Sequence, residues 1–424
     1  MTKIYQMPTD DRPFGQYPCD ESCVPQYTLP DPLLRDDGSR VQSAREWVLG
    51  RRAEILGIFK KYEYGEILPR PEAMRLELLS RKDDALDGIA IRKEIRIHVE
   101  HKGKAIHFDM LLYLPKEAKT HPVPAFLGLN FKGNHATTDE TDVSPTGLDV
   151  QDSVDDAQIA AHRGIQIGRW CFRDVVKRGY ASATICYHDI FRDQVGYGDR
   201  SVFSLFYDNV DMMEVNETYT PIGAWAWGLS RGLDVLEAEP GVLQGAVAVH
   251  GHSRLGKTSL WAGAIDRRFA MVISNDSGCC GGALHRRKYG ENLSQHFRSH
   301  LGWNVPCWFV NRLDDYIWRE EELPFDQHEL MALAAPRPLA IGTATEDCAA
   351  DPKGEFLAAV AASDVYRLFG SKGLPVNEMP GPDVNVTGDI SFHCRTGCHD
   401  QTPFDWNHYL EIADIYLKHN NRSE

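Results

Sequence analysis

The sequence predicts a doubly wound α/β fold, a mainly parallel sheet sandwiched by helices, with an N-terminal helical arm. From residue 170 onward, short apolar runs alternate with longer helical patterns, as strands joined by helical crossovers do. The runs "ASATICY", "GAVAVHG", "FAMVISN" and "RPLAIGTA" are apolar nearly throughout, which suits strands covered on both faces. The chain has 424 residues and is 42% apolar, enough to bury one large core or two to three smaller ones.

The elements follow in chain order. Residues 1–84 combine Pro-rich coil with helical stretches such as "SAREWVLGRRAEILGIFKKY" and read as an arm packed on a core domain of residues 85–424, with strands beginning after residue 80. In the core, Ile95, Ile97 and Val99, then Ile106, Phe108, Met110, Leu112 and Leu114, alternate across a Lys-Gly turn and predict a hairpin. "PVPAFLGLNF" is a further strand. Residues 136–165 are acidic and polar with little periodicity, and read as an inserted surface loop. Helices are expected over "RDVVKRGY", "GAWAWGLSRGLDVLEAEP", "KTSLWAGAIDRR", "GEFLAAVAASDVYRLFG" and the closing "PFDWNHYLEIADIYLKH".

Charge and composition narrow the function. A net charge of -15 argues against a nucleic-acid partner, because phosphate binding needs a positive field. No run approaches the roughly 18 apolar residues of a membrane span, so no membrane partner is expected. "MTKIYQMPTDDRPFG" has no apolar leader core, leaving two expectations: residence inside the cell, or a leader outside this sequence. The ten cysteines include two C-x-x-x-C pairs, Cys19/Cys23 and Cys394/Cys398, and the adjacent Cys279 and Cys280. That spacing does not suit a zinc site, so no metal is expected; buried thiols and one or two disulfides remain alternatives.

The chemistry concentrates in "AVAVHGHSRLGKTSL", residues 246–260. Ser253 falls between a buried strand and a helix start, where a sharp turn projects its hydroxyl and aims helix N–H groups at an oxyanion. This is a nucleophile-elbow pattern with its second glycine, Gly256, one residue late. A serine and glycines that merely shape the turn and cap the helix are the plain alternative.

A nucleophilic serine needs a base and an orienting acid. His399 is the candidate base, in a Gly-containing loop between a short strand and the last helix; His252, His393 and His408 compete. Asp276 in "SNDSG" and Asp347 in "TATEDCAADP" both end strands and compete for the acid. Arg254 and Lys257 put two cations at a helix N-terminus, which the helix dipole disfavours, so a compensating function is expected. Arg286, Arg287 and Lys288 read as a solvated basic face that could hold Glu291 in place.

"GHSRLGK", "NDSGCCGGAL", "RRKYGEN", "LPFDQHELMALAAPRPL", "EDCAADPKGEFL" and "GCHDQTPFDW", with "GLNFKGNH" and "AWAWGLSRGLDVLE" upstream, resemble the bacterial glucuronoyl esterases of carbohydrate esterase family fifteen, collinearly over residues 85–418. The resemblance implies an α/β-hydrolase fold and hydrolysis of the ester between glucuronic acid on xylan and lignin alcohols, without metal or organic cofactor. It implies Ser253 as nucleophile, His399 as base and Arg254 at the oxyanion, with Lys257 and Glu291 on sugar hydroxyls. Either Asp276 or Asp347 supplies the acid. Many members carry glutamate at the first place, and the shorter aspartate here favours Asp347. Relatives also carry a sugar-packing tryptophan where this chain has Ala349; Trp303, Trp308 and Trp406 are its possible substitutes, though each reads more simply as core. The expected substrate partner is glucuronoxylan or a small uronate ester, and the family implies a secreted or periplasmic place of action. The alternatives are an esterase of other specificity, such as for acetyl esters, and a carbohydrate-binding relative with an idle site.

Overall fold

In the computed structural model, which describes residues 17–147, 156–194, 196–297 and 308–418, the described strands form one sheet. They are β1 (Ala73–Asp84), β2 (Ala90–His101), β3 (Lys104–Pro115), β4 (Val123–Asn130), β5 (Ala181–Cys186), β6 (Val242–His252), β7 (Met271–Asn275), β8 (Leu339–Ala344) and β9 (Ile390–Arg395). Their spatial order is β1-β2-β3-β5-β4-β6-β7-β8-β9. The first three pair antiparallel, β3 pairs antiparallel with β5, and everything from β5 to β9 is parallel.

Local chemistry accounts for this division. The β2–β3 hairpin turns on Lys102 and Gly103, both with positive φ, a turn whose twist matches that of its strands. β4, β5, β7, β8 and β9 are buried at every position, as strands covered on both faces require. The helix Pro221–Ala238 starts with Thr220 accepting from the Gly223 N–H and has Pro at its first turn, and it lies almost wholly in the core. The chain runs from β4 to β5 on one side and then crosses to β6 on the other side of β4. The order therefore reverses beside β4, and the carboxyl ends of β4 and β6 flank the crevice where such sheets bind ligands.

Two expectations need correction. The first strand, Ala73–Asp84, lies inside the stretch assigned to the arm; its outer face meets solvent, so its weak apolar pattern concealed it. The 136–165 stretch is not wholly a surface loop. Ala136, Thr137, Thr138 and Val143 are buried, and Glu140 and Asp142 bind the buried Arg92 at 3.1 and 2.7 Å. Its acids compensate an interior guanidinium. Asp156–His162 is helical, and residues 148–155 fall outside the described residues.

The helical part of the arm, Ala44 through Tyr64, meets the helix that follows β6, where Arg52 donates to the Ala264 carbonyl at 2.5 Å. Tyr64 stacks on Trp261 at 4.7 Å, and its hydroxyl donates to the Cys280 carbonyl at 2.8 Å. Trp47, Ile55 and Phe59 belong to the main core, so the arm shares its hydrophobic interior.

Candidate active site

Ser253 stands on the corner between β6 and the helix Arg254–Ile265 with φ 59° and ψ -130°. A non-glycine residue there is strained by about 1–3 kcal/mol and persists because its surroundings over-determine it. The flanking glycines make the corner possible. A Cβ on Gly251 would lie 1.9 Å from the Leu255 carbonyl oxygen. A Cβ on Gly256 would crowd the Asn275 oxygen and the Ser277 Cβ at 3.0 and 3.1 Å, so the helix start lies close against the end of β7 there. The Ser253 N–H donates to the Asn275 carbonyl at 2.9 Å, tying the elbow to β7.

His399 lies in the loop after β9 and Asp347 just after β8. His399 Nδ1 and Asp347 Oδ2 are 2.6 Å apart, with the imidazole 44% exposed and the carboxylate nearly buried. The His399 ring sits 4.5 Å from that of His252, the residue before Ser253, which brings this imidazole beside the elbow. The competing histidines are occupied elsewhere. His252 Nδ1 pairs with Asn275 Oδ1 at 2.7 Å, and burial followed by the nearby His399 charge holds it well below the usual imidazole range. His393 and His408 are buried against each other, with His393 on Asp405 at 2.7 Å.

Asp276, at the end of β7, shares the neighbourhood: its carboxylate, that of Asp347 and the His399 ring offer atoms all within 4.8 Å of one another. Yet the guanidinium nearest it among the described residues is that of Arg395, at 3.6 Å, and neither of its oxygens accepts a hydrogen bond. Burial first, then the negative charges of Asp347 and Glu355, push its carboxyl well above the usual range, toward the neutral form.

Arg254 projects from the helix start and pairs with the buried Asp193. Its guanidinium lies 4.5 Å over the Trp308 ring, and Trp308 Nε1 donates to the other Asp193 oxygen at 2.8 Å. Burial pulls the Arg254 charge down, but Asp193 more than offsets it, so the cation is secured. Lys257 is buried and donates to the Ser277 carbonyl at 2.7 Å and to Glu291 at 3.1 Å. The Glu291 N–H in turn donates to the Ala349 carbonyl at 2.8 Å, so the residue in place of the expected aromatic touches the Glu291 loop through its backbone.

The structure brings together Ser253, Arg254, Lys257, Asp276, Glu291, Asp347 and His399. The basic cluster is different from the solvated face expected. Arg286 is buried, donating to the Leu323 and Phe325 carbonyls, and Arg287 is buried on Asp351; Glu291 is held by Lys257 instead. The C-x-x-x-C spacings form no disulfide: Cys19 bonds Cys348, while Cys23, Cys394 and Cys398 are free thiols. Trp406 is core, Trp303 lies outside the described residues, and Trp308 backs Arg254. Sequence reasoning missed Asp193; its signal was an aspartate shortly after β5, at the carboxyl end of a sheet strand.

An elbow serine at the carboxyl edge of a mainly parallel sheet, with an exposed imidazole on a buried carboxylate, defines an α/β-hydrolase of the esterase kind. Comparison with known proteins agrees. The family described as "Glucuronyl esterase, fungi" matches residues 165–370. Carbohydrate esterase MZ0003, from an unknown prokaryotic organism, is 42% identical over 403 residues, covering 94% of this chain and 91% of the relative. The solved glucuronoyl esterase of Solibacter usitatus is 38% identical with a TM-score of 0.85, covering 93% of this chain and 99% of that one. The 4-O-methyl-glucuronoyl methylesterase of Schizophyllum commune is 28% identical over 81% of this chain and 74% of its own length. This chain belongs to the glucuronoyl esterase family, carbohydrate esterase family fifteen, and is a carboxylic ester hydrolase.

Proposed function

We propose that this enzyme cleaves 4-O-methylglucuronoyl esters, the linkage between glucuronic acid groups on xylan and lignin alcohols, through an acyl-enzyme on Ser253. The observation that carries this reading is the 2.6 Å contact between His399 and Asp347 beside the elbow. His399 takes the Ser253 proton as Oγ attacks the ester carbonyl, and Asp347 stabilises the imidazolium through Nδ1. The carbonyl oxygen becomes an oxyanion, met by Arg254 and by N–H groups at the helix start. Collapse breaks the bond to the alcohol, which leaves with the proton from His399. Water then attacks the acyl-enzyme in the same way, releasing the uronate and restoring Ser253.

The charges suit an esterified uronate. Its reacting end is neutral, so the protein's overall negative charge does not oppose its arrival. The Arg254 cation stabilises the transition state more than the ground state, as differential binding requires. Lys257 and Glu291, held to each other, present a donor and an acceptor to sugar hydroxyls. Every step is carried by side chains of this chain and by water. The Cys19–Cys348 disulfide supports action outside the reducing cytoplasm, in the periplasm or beyond the cell.

Ala349 favours a second reading, a related esterase with relaxed sugar preference that also takes acetyl esters. Turnover of benzyl glucuronate against 4-nitrophenyl acetate, by wild type and Ser253→Ala, tests both. A Ser253-dependent preference for the glucuronate is expected; a preference for acetate establishes the second reading. Failure of a fluorophosphonate to label Ser253 would indicate an idle carbohydrate-binding site.

A further inference from the structure

The N-terminal segment at residues 17–23 reaches the two loops that carry Glu291 and Asp347, and the proposed mechanism gives it no task. The Tyr17 N–H donates to the Gly290 carbonyl at 2.7 Å, one residue before Glu291. Cys19 is bonded to Cys348, the residue after Asp347, across a separation of 329 residues. Glu21 accepts from Arg287 at 2.6 Å and from Lys353 at 2.7 Å. Arg287 is itself buried on Asp351 at 2.8 Å. The stretch Asp347–Ala350 thus bears the acid on His399, the half-cystine and the carbonyl that accepts the Glu291 N–H.

Resting on the proposed reading of Asp347 and Glu291, we infer that this N-terminal segment is a positioning element for catalysis. The Cys19–Cys348 disulfide fixes Asp347 against His399, and the Tyr17 and Glu21 contacts fix the neighbouring Glu291 loop. The physical reason lies in the chain geometry. Asp347 sits in a short turn between β8 and the helix Pro352–Arg367, with its own N–H donating to Ala344 at 3.2 Å. A covalent bond one residue away limits how far that turn can swing. The charge-assisted bonds of Glu21 brace the other end of the turn at Asp351 and Lys353. A one-ångström displacement of an orienting acid matters because orientation is what it contributes.

A disulfide that merely restricts the unfolded chain would also stabilise the fold, so the test must read catalysis. Cys19→Ser/Cys348→Ser is compared with wild type on benzyl glucuronate, in both the native and the Asp347→Asn backgrounds. Turnover should fall about tenfold in the native background and less than about twofold in Asp347→Asn, the non-additivity of residues acting through one another. The acid limb of kcat/KM should move to lower pH, because a loosened Asp347 supports the His399 imidazolium less. Glu21→Gln, which leaves the disulfide and the buried Arg287–Asp351 pair intact, should show the same pattern at smaller amplitude even if the cysteine variant folds poorly.

A lower melting temperature with unchanged kcat and pH profile in both variants would overturn the inference. So would equal losses in the two backgrounds. An Asp347→Asn enzyme with wild-type turnover would overturn the triad assignment itself. An Asp347→Asn enzyme that has lost turnover, beside cysteine and Glu21 variants that have not, would overturn the role of the N-terminal segment alone.

Discussion

Two carboxyl groups stand near one imidazole, in surroundings that set them apart. Asp347 meets His399 at 2.6 Å, whereas Asp276 is buried without a hydrogen bond and is driven toward its neutral form. Asp347→Asn should lower kcat about 10³-fold or more by leaving His399 without its orienting partner, and Asp276→Asn should cost only a few-fold. Steady-state kinetics of the two variants check this; equal losses would contradict the division. The same neutral form has a consequence for stability. A carboxyl whose folded pKa lies above its unfolded value contributes stability that is complete below about pH 3.8 and is lost as pH rises through the folded value. Asp276→Asn should therefore gain melting temperature relative to wild type as pH rises from 4 to 8. Arg254 presents the reverse case, a cation secured by Asp193 and Trp308. Arg254→Ala should lower kcat by about 10²–10³, and lysine should rescue little of it because it lacks the planar fork.

At the scale of elements, the elbow is the most constrained piece of chain. Gly251→Ala would drive a Cβ to 1.9 Å from the Leu255 carbonyl oxygen, and backbone cannot yield there as a side chain could. The variant should lose activity and melt earlier, read by circular dichroism beside the esterase assay. The loop after β8, where Ala349 stands beside the Glu291 loop, is the element in which the proposed sugar preference is tested. Ala349→Trp would restore an aromatic surface beside Glu291, and should lower KM for benzyl glucuronate about five- to tenfold with little change for 4-nitrophenyl acetate. An unchanged KM would place the sugar elsewhere.

The whole molecule carries buried acids that respond to pH together. Glu355 accepts the Gly278 N–H at 2.6 Å, and its carboxyl is pushed up to about 8, chiefly by burial, with Asp347 adding to the rise and the Gly278 bond opposing it. Burial dominates again in raising Glu63 and Glu329 to about 7. Each stabilises the fold fully below about pH 4.5 and progressively less as pH rises through its folded value, so the window of loss is about pH 4.5–8. Glu355→Gln keeps an acceptor for the Gly278 N–H and should gain melting temperature over wild type between pH 5 and 9. A constant difference across that range would show that Glu355 is not the responding group.

The sequence by itself determined the parallel half of the sheet and the elbow, and it singled out His399 and two candidate acids. Those features are local: apolar runs, a glycine–serine corner, aspartates at strand ends. Tertiary structure decided what depends on residues far apart in the chain. It chose Asp347 as the contact of His399, across 52 residues, and left Asp276 buried beside Asp347 and Arg395 without a hydrogen bond, which no local pattern reveals. Asp193 met Arg254 across 61 residues, and Arg286 and Arg287 found carbonyls and carboxylates inside the fold rather than water. The disulfide between Cys19 and Cys348, 329 residues apart, shows the reason most plainly: spacing along a chain constrains neighbours, whereas pairing across the fold is set by which loops the packed sheet brings to the same edge.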